Sequence, residues 1–108
     1  MEVPEWLKKV QENIAKSDLK PLFADEALVM GSVKASKTKE GIKKEANIRI
    51  VFIDMTNLKP IAKIVLSFTT AQGLVNALNS QIEKISQELK SKEVKKEVKT
   101  EGMLTYIG

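Results

Sequence analysis

Leu7, Val10 and Ile14 follow Pro4 at spacings of three and four residues, the pattern of one apolar face on a short helix. Proline suits the first helical position, where a missing N–H leaves no bond unmade. Ser17-Asp18 and Lys20-Pro21 close the helix near Lys16, because the residue before a proline is pushed out of helical backbone. The period then shortens to two. A first strand is expected from Leu22 to Val33, with Phe23, Ala27, Val29 and Val33 on one face, Leu28 and Met30 on the other, and a bulge at Gly31. From Lys34 to Glu45 the chain is polar and lysine-rich and contains Gly41, which reads as a long mobile connection. A second strand, Ala46 to Asp54, alternates Ala46, Ile48, Ile50 and Phe52 against Asn47 and Arg49. D54-M-T-N-L-K-P60 is rich in turn formers, and a third strand takes Ile61 to about Leu66.

The period changes again inside K63-I-V-L-S-F-T-T-A-Q-G-L-V-N-A-L78. Hydroxyl side chains at Ser67 to Thr69 place a helix start there, with Thr69 and Gln72 at capping-box spacing. Beyond it Ala71, Leu74, Val75, Leu78, Ile82, Ile85 and Leu89 form one stripe of about five turns. Gly73 lies inside that helix at a cost of about 1 kcal/mol relative to alanine, which implies close approach of the helix to the sheet. Val94 and Val98 fall off the stripe, so Lys90 to Glu101 reads as a solvated helical extension or a disordered run. M103-L-T-Y-I-G108 is either an edge strand or a loose end.

The expected fold is α+β: a two-layer, three-stranded antiparallel sheet, four-stranded if the end pairs, flanked by an N-terminal and a long C-terminal helix. A chain of 108 residues supports one domain, divided as a helix over 1–20, a β-β-β-α core over 22–91 and a charged tail over 92–108.

Composition removes chemistry more than it adds it. Cysteine and histidine are both absent, which excludes disulfides, thiolate and imidazole catalysis, and most zinc, copper and haem sites. Asp25, Glu26 and Asp54 are the carboxylates near strand ends. Neighbours on a strand point to opposite faces, so Asp25 and Glu26 make no acid/base pair. No catalytic residue, cofactor or metal is expected. The start lacks a basic-then-apolar leader, and no apolar run reaches the length of about 20 residues that spans a bilayer. A cytoplasmic protein with no membrane partner is the expectation, and its lysine and glutamate enrichment fits a thermophile or archaeal source.

The net charge of +4 is concentrated. Lys34, Lys37, Lys39, Lys43 and Lys44 against Glu40 account for all of it. Arg49 is the one arginine, and lysine attracts phosphate without the bidentate geometry that reads bases. Nonspecific nucleic-acid binding is thus one expected use of the segment; a solvated hairpin tip is the other. Val75, Leu78, Ile82, Ile85 and Leu89 also satisfy a heptad, so the long helix is a candidate homodimer seam as well as the cover of a sheet. Trp6 sits beside the first stripe, where it either caps the core or anchors a partner.

From Phe23 to Leu89 the sequence resembles a family of small bacterial and archaeal proteins catalogued as a domain of unknown function. Its members carry an opening strand of the type "yANxxxV", then "pVARVVLSPqHAkxLlxaLxxNIxxYE". The corresponding text is F23-A-D-E-A-L-V29, P60-I-A-K-I-V-L-S67, A71-Q-G-L-V-N-A-L78 and N79-S-Q-I-E83. Phe68 stands where the family usually has proline and Thr70 where it often has histidine, and the Lys34 to Glu45 connection looks longer. The resemblance implies a fold rather than an activity. The order of elements also resembles that of YbaB-type nucleoid-associated proteins, without their methionine-rich first helix. An interaction module that pairs with itself and with another protein is therefore the leading expectation, and nucleic-acid binding the alternative.

Overall fold

In the computed structural model, residues 3–91 and 105–107 are described. The order is α1 (Glu5–Lys16), β1 (Glu26–Thr38), β2 (Gly41–Asp54), β3 (Lys59–Ser67) and α2 (Phe68–Lys90). The three strands form an antiparallel sheet in the order β1-β2-β3, so the expected α+β architecture is present. Among the described residues the sheet has three strands, and residues 105–107 form none.

The first hairpin is longer than the hydropathy pattern suggests. β1 and β2 pair without interruption from Glu26↔Ile53 to Thr38↔Gly41. The stretch expected to be a mobile connection is therefore strand on both sides of a two-residue turn at Lys39-Glu40. Gly41 adopts φ +126, backbone that side chains rarely tolerate. The Thr38 hydroxyl donates to the Gly41 carbonyl at 2.9 Å and accepts the Glu40 N–H at 3.3 Å. Gly31 pairs regularly with Ile48, so it marks no bulge. The bulge lies instead between β2 and β3: Phe52 faces Ala62 but Ile53 faces Pro60, leaving Ile61 as the extra residue. β1 begins at Glu26, so Phe23 lies outside it and is exposed.

β3 accompanies β2 only from Asn47 to Asp54. Towards the Lys39-Glu40 turn, residues 33–38 and 41–46 continue as a two-stranded ribbon about 20 Å long at roughly 3.3 Å per residue. Every residue from 26 to 45 is exposed.

The second turn is built by carboxylates. Asp54 Oδ1 accepts from the N–H groups of Thr56 (3.0 Å) and Asn57 (3.4 Å), and Oδ2 from Asn57 Nδ2 (2.8 Å). Asp25 Oδ1 takes the Met55 N–H at 2.8 Å, tying the entry of β1 to the same turn. Asp54 is held below its ordinary value of 3.8, first by the Asn57 amide, against opposing desolvation, with the Asn57 and Thr56 N–H groups and the Lys59 charge adding to it. A carboxyl with a lowered folded pKa contributes stability above its unfolded pKa and loses it as the pH falls through the folded value. Thermal melts from pH 6 down to 3 should therefore show a loss of stability, part of which is missing in Asp54→Asn. An identical acid limb in the two proteins would remove Asp54 from the account.

Ser67 caps α2: its Oγ accepts the Thr70 N–H at 3.1 Å and donates to Thr70 Oγ1 at 2.9 Å. The strand-to-helix junction lies where the sequence places it, but the capping residue is Ser67 with Thr70, rather than Thr69 with Gln72. α1 begins at Glu5, with Pro4 as N-cap residue and its carbonyl accepting from Leu7 and Lys8. Gly73 is crowded by the end of the chain, not by the sheet. A Cβ there would collide with Ile107 Cγ2, Gln81 Nε2 bonds Thr105 Oγ1, and Tyr106 meets Trp6 edge-on with ring centroids 5.6 Å apart. Residues 105–107 thus join α1 to the back of α2. The remainder of the charged tail lies outside the described residues.

Candidate functional site

The alternation of β2 sends Ile48, Ile50 and Phe52 to one face of the sheet. Their cross-strand partners on that face are Gly31, Val29 and Ala27 in β1 and Leu66, Ile64 and Ala62 in β3. Such a face is apolar throughout and needs a cover. α2 lies over β2 and β3 but does not close onto them. Val29, Ile48, Ile50 and Leu66 of the sheet, with Phe68, Ala71, Leu74, Val75 and Leu78 of α2, line an open cleft of about 410 Å³.

Both walls of this cleft remain partly accessible: Val29 is 64% exposed, Val75 55% and Leu78 50%, Ile48, Ile50 and Leu66 are half-buried, and Leu7 alone is buried among the described residues. The five seam candidates separate along α2. Val75 and Leu78 line the cleft, while Ile82, Ile85 and Leu89 continue the stripe as exposed side chains beyond it. Sequence periodicity identified the helix wall and left the sheet wall unassigned. Val29, Ile48 and Ile50 were already marked by their i, i+2 spacing, and Leu66 joins them through its pairing with Ile48, but nothing local announces that a cleft stays open beside them.

The lysine candidates do not gather into one patch. Same-face partners in the ribbon place Lys37 and Lys44 on the α2 side, with Val33 and Ala46, and Lys34 and Lys43 on the reverse, with Lys39 in the turn. Lys43 Nζ lies 3.8 Å from Glu45 Oε1, an exposed pair that is worth little. Counting Glu45 with Glu40, the ribbon from 33 to 46 carries five lysines against two carboxylates, a net +3. Asp25 and Asp54 act as acceptors for the second turn. Trp6 packs on Tyr106.

No helix among the described residues is long and apolar enough to cross a membrane. No protein family, curated protein or solved structure matches this chain.

Proposed function

We propose that this chain is a noncatalytic interaction module that works as a homodimer, with a second copy closing the cleft between α2 and the sheet. One observation carries the reading: an open apolar cleft separates α2 from the Val29/Ile48/Ile50/Leu66 face, with Val29 and the α2 residues Val75, Leu78, Ile82, Ile85 and Leu89 exposed and Ile48, Ile50 and Leu66 half-buried. Removing a Val, Leu or Ile side chain from water is worth about 1.5–3 kcal/mol, so several such residues left half-exposed represent a large unused driving force. A small domain gains its missing core by association. Sedimentation velocity over a micromolar concentration series tests the reading, and a strict monomer throughout would end it.

A second reading, nonspecific nucleic-acid binding, draws support from the projecting ribbon. A two-stranded ribbon fits the major groove, and this one presents lysines on both faces and at its turn. Changing Lys37, Lys39, Lys43 and Lys44 to serine should alter stability by no more than about 0.5 kcal/mol each, as exposed substitutions do. If the ribbon contacts phosphates, the same variant should lose retention on heparin, and the slope of log K against log salt should shrink by up to about 0.9 for each contact removed. No duplex or single-strand binding at low salt would end this second reading.

A further inference from the structure

The two edges of the sheet differ in a way that says how the second copy attaches. An exposed strand edge is a row of unpaired N–H and C=O groups, and proteins guard such edges with lysine and proline. β3 is guarded: Lys59, Pro60 and Lys63 lie along it, and Pro60 has no N–H to offer. β1 is guarded only at its start, where the Glu26 carboxylate accepts the Ala27 N–H at 2.9 Å through one oxygen. From Ala27 to Val33 its sequence, A-L-V-M-G-S-V, contains no charge and no proline, all of it exposed.

We infer that two copies join edge to edge through β1, antiparallel about a two-fold axis at Met30, making one continuous six-stranded sheet; this rests on the homodimer reading above. Charge selects the register. Between residues 26 and 34 the charged side chains are Glu26 and Lys34. With Met30 on the axis, each Glu26 stands opposite the second copy's Lys34, twice per dimer, and opposed residues of an antiparallel pair share a face. Moving the axis to Val29 or Gly31 sets Glu26 opposite Ser32 or Ser36 and leaves both charges unmatched. The contact is isologous, so it closes at two copies and does not propagate. It also bears on the open cleft. Each α2 lies over β2 and β3, so the joined β1 strands form the floor of one groove between two helices, onto which the cleft beside Val29 opens.

The absence of cysteine makes the test clean. Residues facing each other across an antiparallel pair have Cα atoms about 4.5–5.5 Å apart, inside the range of about 4.4–6.8 Å that a disulfide spans. Under mild oxidation the full-length Met30→Cys protein should run mainly as a covalent dimer, and Ser36→Cys, six residues from the axis, should stay uncrosslinked. Independently, Glu26→Lys or Lys34→Glu should weaken the dimer several-fold, and Glu26→Lys with Lys34→Glu together should restore it to within about two-fold. Lys34 also faces Glu45 in its own chain, so the dissociation constant is read rather than the melt. A dimer by sedimentation with no Met30→Cys crosslink, or with no rescue by the charge swap, would overturn the β1 pairing and leave the homodimer standing. A monomer at every concentration would overturn the homodimer itself.

Discussion

Ile82→Glu should sediment as a folded monomer under conditions where the parent chain is a dimer. Within one chain Ile82 is more than half exposed, at 58%, and lies beyond the residues that line the cleft. The substitution therefore removes almost no intrachain packing, and glutamate is at least as good a helix former as isoleucine. In the proposed dimer the position belongs to the α2 stripe that a second copy would cover, where an unpaired carboxylate loses its hydration without gaining a partner, at a cost of several kcal/mol. A weakening of at least about 100-fold is expected, corresponding to about 2.8 kcal/mol. The parent's melting temperature should rise with protein concentration, as it does whenever association stabilises the folded state, and the variant's should not. Asn79→Glu, off the stripe, serves as the control and should leave the dissociation constant unchanged. Ile82→Glu with the parent's mass and melting curve would remove α2 from the interface.

How far the fold can be read from the sequence follows from where burial leaves a pattern. The end of β2, the Ser67 junction and the α2 stripe were legible because each has one apolar face and one polar face, and the period of alternation then names the element. The ribbon was not. Its residues are exposed on both faces, so alternation carries no information, and lysines at 34, 37, 43 and 44 imitate a loop. What holds it as strand is the unbroken pairing from Glu26↔Ile53 to Thr38↔Gly41, to which side-chain hydropathy is blind. The one local clue was T38-K-E-G41, two polar residues followed by a glycine, a recurrent hairpin ending.

The candidate site shows a different limit. An apolar stripe such as Val75 to Leu89 reveals that a surface requires cover, but not which chain supplies it. Such a stripe either lies flat on a sheet or leaves a cleft open beside it, as here beside Ile48 and Ile50, and only the arrangement in space distinguishes the two. The unguarded run from Ala27 to Val33 was equally visible as sequence. It acquires meaning only once β1 is known to be an edge strand and β2 the centre.

Gly73 was read as the site of close approach to the sheet, and the side chain that crowds it is Ile107, 34 residues further along the chain. The consequence is a substitution whose sign should reverse with background. Gly73→Ala alone gains about 1 kcal/mol of helix propensity, but its Cβ meets Ile107 Cγ2, a methyl of a β-branched side chain that cannot swing away freely. Overpacking of this kind costs about 1–3 kcal/mol, so the single variant should be less stable than the parent by up to about 2 kcal/mol. Residues 105–107 should shift with it, drawing Tyr106 off Trp6, and the fluorescence of the lone tryptophan should report the movement. In Ile107→Ala the colliding methyl is gone and the remaining Cβ lies at 3.5 Å from the added carbon, an ordinary contact. There Gly73→Ala should stabilise by about 1 kcal/mol, the helix term acting alone. Urea melts of the four proteins in this cycle give both signs directly. The same sign in both backgrounds would show that residues 105–107 do not press on α2, and that the glycine serves some other purpose.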